Sequence, residues 1–503
     1  MPLFKRNIEQ MLLAMKLKAG KPITELQFFA AELSEWESSP LRREMLDGDR
    51  YYNGDHDILG RKRMAIGNDG KMEEIKYLPN NRIVDNQYAK HVDQKKNYLL
   101  GKPLTFESDN AEYVDAIKKV LNKRFMRMLK NSAVDMYNSS IIWLYPYYND
   151  NGELVFKYFP GYEILPFWKD AAHTEIECAL RLYEVEEYVS HEKRITKKVN
   201  VFKEDGVYNY VFENGVLVPD PDADKLKSSY ITVEKTKGQP QEFNWERIPL
   251  IPIKYNSREI PLIRRARGLQ DAINQLRSDF VNNMEEDIHS TIIVLKNYDG
   301  QDLGEFRHNL ATYGAVKVRA VEGVQGGVDK LEIEVNSENY KVVLEMLKSA
   351  LIENMRSFDG KDERLKGTPN QMNIQSLYMD IDLDANDTES ELHAAFEEIF
   401  WFVNQHLANT GAGDFEGVDI KVIFNRDTLV NESEVIENCG KSAGVISDET
   451  IIAQHPWVDD PQKELEKMKV QKEKEAAEAA ATDPYKTAFV AGKQTGGPED
   501  VEE

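Results

Sequence analysis

The chain has 503 residues but only two cysteines, and it contains no long apolar segment. Cys178 and Cys439 are too few to build a disulfide framework or a zinc cluster, and they indicate synthesis in a reducing compartment. No segment is long and apolar enough to predict a transmembrane helix, and residues 1–20 lack the apolar core of a signal peptide. We predict that this N-terminal segment is an amphipathic helix that packs on its own protein.

Basic residues are fewer than acidic ones. The chain has 64 Lys and Arg against 87 Asp and Glu, so its formal net charge is −23 at pH 7. Proteins that wrap DNA usually carry a basic face, because Lys and Arg neutralise the phosphates. The charge balance argues against that class of protein. It permits a protein past which DNA slides, because an acidic surface repels phosphate.

The sequence motifs of several common enzyme classes are also missing. The chain has no G-x-x-x-x-G-K-[ST] phosphate-binding loop, no H-E-x-x-H zinc motif and no G-x-S-x-G nucleophile motif. We therefore expect no catalytic residue, no metal and no cofactor.

One acidic stretch, DIDLDANDTESE at residues 380–391, has two interpretations. Four of its residues match ligand positions of a calcium loop, namely Asp380, Asp382, Asp384 and Glu391. However, Ala385 stands where that loop requires glycine. The same stretch also fits a helix that carries acidic side chains on one face, namely Asp380, Asp384, Asp387 and Glu391. We predict the helix, with its acidic face in solvent.

The first half of the chain contains both helical and strand patterns. Residues 80–106 predict a helix, because Val84, Tyr88, Val92, Lys95 and Leu99 recur at helical spacing. Residues 140–216 contain short β-branched and aromatic runs, separated by turn sequences such as NDNG, EDG and ENG. This alternation predicts an antiparallel meander.

Three long helices are predicted in the second half, at residues 259–290, 337–358 and 371–408. Between the first two lies a β-rich insert with the strand-like runs STIIVLK, GAVKVRA and DKLEIEV. A strand, DIKVIFNR, and further helices follow the third helix. The apolar stripe of the first long helix comprises Leu262, Ala266, Leu269, Ile273, Leu276, Phe280, Met284 and Ile288.

The second and third long helices are separated by SFDGKDERLKGTPNQM, residues 357–372. This insert is polar, carries charges of both signs and is longer than the few residues that a helix hairpin needs. Such a loop suits a surface that touches something large and charged. The alternative is a flexible hinge in a monomeric protein.

The order of these parts resembles the portal protein, or head-to-tail connector, of tailed double-stranded DNA bacteriophages. The resemblance is nearest to the branch in siphophages of Gram-positive hosts, and it covers about residues 45–460. Four stretches carry it, in this order and spacing: NNRIVDNQYAKHVDQKKNYLLGKPLTF, ERIPLIPIKYN, IIVLKNYDG and FWFVNQHLANTGAGDF.

The resemblance implies an α+β, multidomain fold that assembles into a ring of twelve subunits around a central channel. Residues 1–44 would be an N-terminal helical segment, 45–260 the wing, 261–288 and 337–357 the stem helices, and 289–336 the clip. Residues 358–371 would be the tunnel loop, 372–425 a long wing helix and strand, 426–480 the crown, and 481–503 a flexible acidic tail.

The resemblance also implies functional residues. Those of the tunnel loop would face DNA, namely Gly360, Lys361, Asp362, Glu363, Arg364, Lys366 and Gly367. Those of the clip would bind a head-completion adaptor, namely Ile292, Val294, Tyr298 and Ile333. The implied partners are other copies of the chain, double-stranded DNA, the terminase large subunit, the adaptor, and the major capsid and scaffolding proteins. The protein would be made in the host cytoplasm and located at the portal vertex of the virion, with no membrane contact.

Two alternatives belong to other functional classes. The first is a metal-dependent nuclease or modifying enzyme that uses the acidic cluster from Asp380 to Glu391. The second is a scaffold protein without a channel. The size and shape of the particle in solution would distinguish a ring from either alternative.

Overall fold

A computed structural model describes residue 11 and residues 24–66, 71–74, 78–189, 192–236, 239–289, 292–296, 327–331, 337–362, 371–426, 432–458 and 461–481. It contains two compact units. The first comprises Met1–Phe358 and Asp380–Asp427, and the second comprises Asp359–Met379 and Thr428–Glu503.

Five helices of the first unit begin at side chains that cap their free N–H groups. Thr24 and Gln27 form a reciprocal capping box, and Ser39 caps the next helix ahead of a proline in its first turn. Asn86, Asn110 and Asn122 cap the other three. These helices are α1 (Glu25–Glu37), α2 (Pro40–Tyr52), α3 (Gln87–Leu100), α4 (Ala111–Val120) and α5 (Lys123–Ser139).

The strands of the described chain pair antiparallel throughout. They are β1 (Met64–Ile66), β2 (Met72–Glu74), β3 (Thr105–Glu107), β4 (Ile141–Tyr148), β5 (Leu154–Pro160), β6 (Ile164–Trp168), β7 (Ile176–Val189), β8 (Glu192–Lys203), β9 (Gly206–Glu213), β10 (Val216–Pro219), β11 (Lys227–Ser228), β12 (Ile231–Thr236), β13 (Gln239–Phe243), β14 (Ile251–Lys254), β15 (Ile292–Lys296), β16 (Gly327–Leu331) and β17 (Lys421–Ile423).

The predicted meander is confirmed, but it is divided between two sheets. Strands β10-β9-β8-β7-β6 form one sheet in that order, with β11 beside β9, and β14-β4-β5 form another. The predicted ENG turn joins β9 to β10, with Asn214 and Gly215 both at positive φ. That conformation is required by the two-residue turn that matches the strand twist. Strand β17, in the predicted DIKVIFNR run, pairs with β3.

Aromatic side chains fill the core of the first unit. Trp143 is fully buried and lies 5.6 Å from the ring of Trp168. Phe396 of the third long helix lies 6.5 Å from Phe125 of α5. The first contact joins the two sheets and the second joins two helices, and Phe125 also contacts Phe156 of β5 with ring centroids 5.2 Å apart.

The three predicted long helices are present: α6 (Ile263–His289), α7 (Ser337–Asn354) and α8 (Gln371–Thr410). Strands β15 and β16 pair between α6 and α7, whereas GAVKVRA lies outside the described residues. The second unit contains α9 (Glu432–Ser442), α10 (Asp448–Gln454) and α11 (Pro461–Ala481). Within the described residues, no helix has the length and hydropathy needed to cross a membrane.

Candidate functional site

The predicted site residues are only partly described. Gly360 and Lys361 are exposed and Asp362 is half-buried. The other predicted loop residues, Glu363, Arg364, Lys366 and Gly367, lie outside the described residues, as do Tyr298 and Ile333 of the predicted clip. Ile292 and Val294 lie on β15, opposite Leu331 and Asp329 of β16. The loop and clip assignments of these residues stay predictions.

The chain enters the predicted loop through a strained helix end. The last turn of α7 closes with two hydrogen bonds, from Arg356 N to Glu353 O and from Ser357 N to Ile352 O, both 3.0 Å. This pattern places a left-handed residue after the helix, a position that glycine usually occupies. Here the residue is Arg356, with φ 48°. An arginine holds that conformation only where its surroundings impose it.

Two neighbouring helices supply that constraint. Lys95 of α3 donates from Nζ to the Arg356 carbonyl oxygen at 3.1 Å. The Arg356 guanidinium pairs with Asp387 of α8, Nη1 to Oδ2 3.1 Å. Leu351 and Met355 below the turn are fully buried. The last residues before the predicted loop are therefore fixed through both backbone and side chain, and we call this arrangement the clamp at Arg356.

Lys95 also forms a buried ion pair with Asp384, Nζ to Oδ2 2.6 Å, and both side chains are at most 4% exposed. Burial lowers the pKa of Lys95, and the Asp384 carboxylate opposes that shift. Tyr255 donates from its hydroxyl to the other oxygen of Asp384 at 2.8 Å. The pKa of Tyr255 is raised well above its usual value. Burial is the larger cause, and the negative charge of the nearby Asp384 is the second. Asp384 thus joins α3, α8 and the segment after β14.

The predicted helix over residues 380–391 is confirmed, but its acidic face is not fully solvated. Asp384 is buried because it is the counter-ion of Lys95. Asp382 pairs with Arg426 at 2.7 Å and accepts a hydrogen bond from the Tyr98 hydroxyl, and Glu389 pairs with the same arginine. Cations of the protein therefore occupy two of the four carboxylates that match the calcium loop, namely Asp382 and Asp384. Within the described residues, no group of three or more His, Cys, Asp and Glu is placed to hold a metal ion.

A polar ladder joins α6 to the extended segment before α3. Four side chains of α6, spaced four residues apart, accept from three backbone N–H groups of that segment and from the N–H of Tyr88 in the first turn of α3. The bonds are Asn282 Oδ1 to Asn81 N (2.7 Å), Ser278 Oγ to Ile83 N, Asn274 Oδ1 to Asp85 N and Gln270 Oε1 to Tyr88 N (each 2.9 Å). Between the first three bonds, four helical residues rise about 6 Å and two extended residues about 6.6 Å, so the two repeats match there. The fourth bond reaches Tyr88, three residues after Asp85.

This ladder changes the interpretation of the apolar stripe on α6. Leu262, Ala266 and Ile273 are fully buried as predicted, but Met284 is 53% exposed. The four ladder residues, from Gln270 to Asn282, are buried on this helix as well. Their i, i+4 spacing is visible in the sequence, but apolar periodicity alone does not reveal it. The backbone of the stretch NNRIVDNQY therefore lies along the helix.

Ion pairs attach α6 and α7 to the rest of the first unit. Arg267 of α6 bridges Asp47 at 2.6 Å and Asp57 at 2.7 Å. Burial raises the pKa of Asp57, but hydrogen bonds from Arg267 and Arg50 outweigh this effect and lower the pKa to about 2. Asp85 contacts Arg277 of α6 at 3.0 Å and Lys348 of α7 at 3.1 Å. Both helices are therefore anchored through the same segment that carries the ladder.

The opposite faces of these helices carry exposed apolar side chains. Phe280 and Tyr340 pack together, with ring centroids 5.0 Å apart, and join α6 to α7. Beyond that contact, Val342 and Met346 of α7 are 50% and 66% exposed. Val343 and Met284 are exposed as well. This patch has no described partner inside the chain.

Comparison with known proteins identifies the family to which the chain belongs. A family model described as "Phage portal protein, SPP1 Gp6-like" matches residues 39–478. The chain belongs to this family of phage portal proteins. It is 30% identical over 424 residues to the portal protein of Bacillus phage SPP1, covering 84% of this chain and 82% of that protein. It is 26% identical over 454 residues to the portal protein of Clostridium phage phiCD119, covering 88% and 95%.

The match to this family confirms the resemblance predicted from the sequence, and it confirms the portal function. Portal proteins are structural rather than catalytic, so the nuclease hypothesis has no support. The mixed helix and sheet architecture agrees with the α+β prediction. A portal protein is a capsid component that works as an oligomer at a vertex, so this chain is a subunit of such an oligomer. The clamp at Arg356 and the ladder on α6 both lie within the matched residues.

Proposed function

We propose that twelve copies of this chain form a ring at one capsid vertex, through which double-stranded DNA is packaged and later ejected. The observation that carries the proposal is the clamp at Arg356. The chain is fixed at that residue and then enters a stretch, residues 359–370, in which Leu365 is the only large apolar side chain. A loop that departs from a rigid base and has so little apolar surface suits a solvent-filled opening.

The loop would line the narrowest part of the channel. Its charged residues are of both signs, so that the loop contacts phosphates without holding them. The positive members are Lys361, Arg364 and Lys366, and the negative members are Asp362 and Glu363. Gly360 and Gly367 let the backbone adjust as the duplex moves past.

Neighbouring subunits would meet along the exposed apolar patch of α6 and α7. Val342, Val343, Met346 and Met284 have no described partner within the chain, and contiguous exposed apolar surface of this kind marks protein contacts. Negative-stain microscopy of purified protein should show annular particles of roughly 0.7 MDa, twelve subunits of 57.9 kDa. Monomers or small oligomers at micromolar concentration would contradict the ring.

A charge on this patch provides the sharper test. Met346→Asp should reduce ring yield, because the carboxylate would be buried without a partner in the contact. Val216→Asp is the matched control, since Val216 is similarly exposed at 57% but lies on β10 of the sheet. Equal ring yields for the two variants would place the subunit contact elsewhere.

The β15–β16 pair would form the clip with the same strands of adjacent subunits. Each strand has five residues, and an isolated two-stranded pair is marginal in water. A charge at Val294 or Ile333 should therefore block ring formation or adaptor binding. Normal rings that bind the adaptor in both variants would remove the clip assignment.

The DNA-facing role of the loop can be tested separately from assembly. Reversing Lys361, Arg364 and Lys366 to Glu adds negative charge where a narrow channel focuses the field on the phosphates. Procapsids should assemble at normal yield but package little DNA, with a defect that eases as salt screens the repulsion. Loss of rings would mean that the loop is structural, and wild-type packaging would mean that it does not meet DNA.

The remaining partners follow from what the chain would need in this role. A phosphate-binding loop of the common ATPase type is absent from the sequence, so translocation would be driven by a terminase large subunit docked on the ring. A head-completion adaptor would bind the clip after packaging, and scaffolding and major capsid proteins would surround the ring during assembly in the host cytoplasm. Co-purification of the ring with each protein tests these partners.

A further inference from the structure

A short segment of this acidic protein is strongly basic. Residues 118–130, KKVLNKRFMRMLK, contain no Asp or Glu and six cations, namely Lys118, Lys119, Lys123, Arg124, Arg127 and Lys130. The net charge of the whole chain is −23. We call these six residues the basic patch.

The basic patch is formed where α4 ends and α5 begins. Five of its members are exposed and Lys130 is half-buried. None of the six makes an ion pair with a described residue. Elsewhere on the first unit, exposed lysines do find carboxylates, for example Lys225 with Glu242 and Lys227 with Asp205. The six charges of the basic patch are therefore not neutralised by ion pairs with described residues, although acidic residues are abundant in the chain.

The helix beneath the patch is held rigidly. Lys123, Arg127 and Lys130 follow at i, i+4 and i+7, so they lie along one side of α5 over about 10 Å. On the other side, Phe125 is buried with its ring 5.2 Å from that of Phe156. The charges are thus presented by a fixed element of secondary structure and not by a loose tail.

Helix polarity strengthens the positive field at this point. The first turn of α5 contains no acidic residue, although acidic side chains are favoured at the positive end of a helix dipole. Asn122 accepts from the N–H groups of Arg124 and Phe125. Because these donors are already satisfied, the attraction for an anion comes from the six side chains and the dipole.

We propose that the basic patch binds the phosphate backbone of duplex DNA on a surface separate from the channel. A protein partner is less suited to this surface, because protein interfaces have an apolar centre. Among the described residues, no large apolar side chain between positions 73 and 187 is exposed. Duplex DNA carries one charge per about 1.7 Å of axis, so about six phosphates lie along the 10 Å stripe of α5. The binding needs no ring and goes beyond the channel function.

The test compares two variants with the same change in net charge. The patch variant changes four exposed, unpaired cations to Gln: Lys119, Lys123, Arg124 and Arg127. The control variant changes four exposed lysines that are already ion-paired to Gln: Lys169, Lys193, Lys225 and Lys227. The probe is a nicked circular duplex, which has no end that could thread through a closed ring. Affinity is measured by filter binding between about 50 and 200 mM NaCl.

The wild-type protein and the control variant should bind the circle with similar affinity and salt dependence. In the patch variant, affinity at 50 mM salt should fall by at least tenfold. The slope of log K against log salt concentration should become less negative by about 3 to 4. Each phosphate contact that is lost reduces the magnitude of this slope by about 0.9. Near-UV circular dichroism and the melting temperature should not change, because the replaced side chains are exposed and unpaired.

Three results would overturn the proposal. These are no salt-dependent binding of the circle by the wild-type protein, an equal loss of affinity in both variants, and patch-dependent binding of poly-glutamate without binding of DNA. The last result would assign the surface to an acidic protein. Microscopy of the patch variant separates these outcomes from the proposed channel, because the proposed subunit contact on α6 and α7 does not include the basic patch.

Discussion

The buried pair of Lys95 and Asp384 allows a prediction in which two substitutions together do less harm than either alone. Lys95→Met leaves the Asp384 carboxylate buried with only the Tyr255 hydroxyl as donor, and removal of one partner from a buried pair costs about 3–5 kcal/mol. Asp384→Asn leaves the ammonium without its counter-ion, at a cost of the same order. Each single variant should lower the free energy of unfolding of the first unit by several kcal/mol.

The double variant Lys95→Met/Asp384→Asn contains no buried charge at this place. The new amide can still accept from Tyr255, so the main remaining loss is the hydrogen bond to the Arg356 carbonyl, about 1–3 kcal/mol. We therefore expect the double variant to be more stable than either single variant. Independent substitutions would instead have additive effects.

Urea unfolding followed by tryptophan fluorescence gives the required free energies. Five of the six tryptophans lie in the first unit, and Trp143 is fully buried there. The wild type and the three variants complete a double-mutant cycle on the transition that this signal reports. A double variant that is less stable than both single variants would refute the reasoning, because the two residues would then contribute independently.

Three further predictions concern other parts of the first unit. Asn274→Ala should lower stability by about 1–3 kcal/mol, because the Asp85 N–H loses its acceptor, and urea unfolding that matches wild type would show the ladder to be dispensable. Burial lowers the pKa of His56 below 6.5, so the unfolded chain binds a proton that the folded chain does not, and stability is lost as pH falls below about 6.5. The melting temperature should fall less between pH 7 and 5 in His56→Gln than in wild type, and equal slopes would exclude this source. Calcium or manganese should leave the melting temperature unchanged, whereas a rise that vanishes in Asp382→Asn would restore a metal site.

The pH prediction rests on a tautomer that the hydrogen bonds determine. His56 Nε2 lies 2.9 Å from the carbonyl oxygen of Tyr51, so this nitrogen must carry the proton. Nδ1 lies 2.7 Å from Nδ2 of Asn274, whose Oδ1 already accepts from Asp85 N. Nδ1 is therefore an acceptor, and a second proton on the ring would face the Asn274 amide N–H group. The folded site selects the neutral histidine.

The sequence predicted individual elements better than the contacts between them. Helical spacing identified the buried face of α3, including Lys95, and a lysine in such a stripe already indicates a buried counter-ion. Its partner Asp384 could not be identified, because it lies 289 positions away and the pairing depends on the tertiary fold. For the same reason the acidic face of α8 was predicted to be in solvent. Strand β6 was missed, since its run ILPFW is short and contains a proline.

The polar ladder and the apolar patch together suggest how an oligomer could change its subunit contacts without unfolding its subunits. On α6, Asn282 of the ladder and Met284 of the patch are two residues apart, about 200° around the helix axis, and so lie on opposite sides. On α7, Val342 lies about 180° from the buried Leu351. Directional hydrogen bonds and ion pairs fix one side to the body, whereas non-directional apolar contacts would remain for the neighbour in the proposed ring. Apolar contacts need no fixed donor–acceptor geometry, so an oligomer that admits a moving duplex, as proposed, would gain from this division.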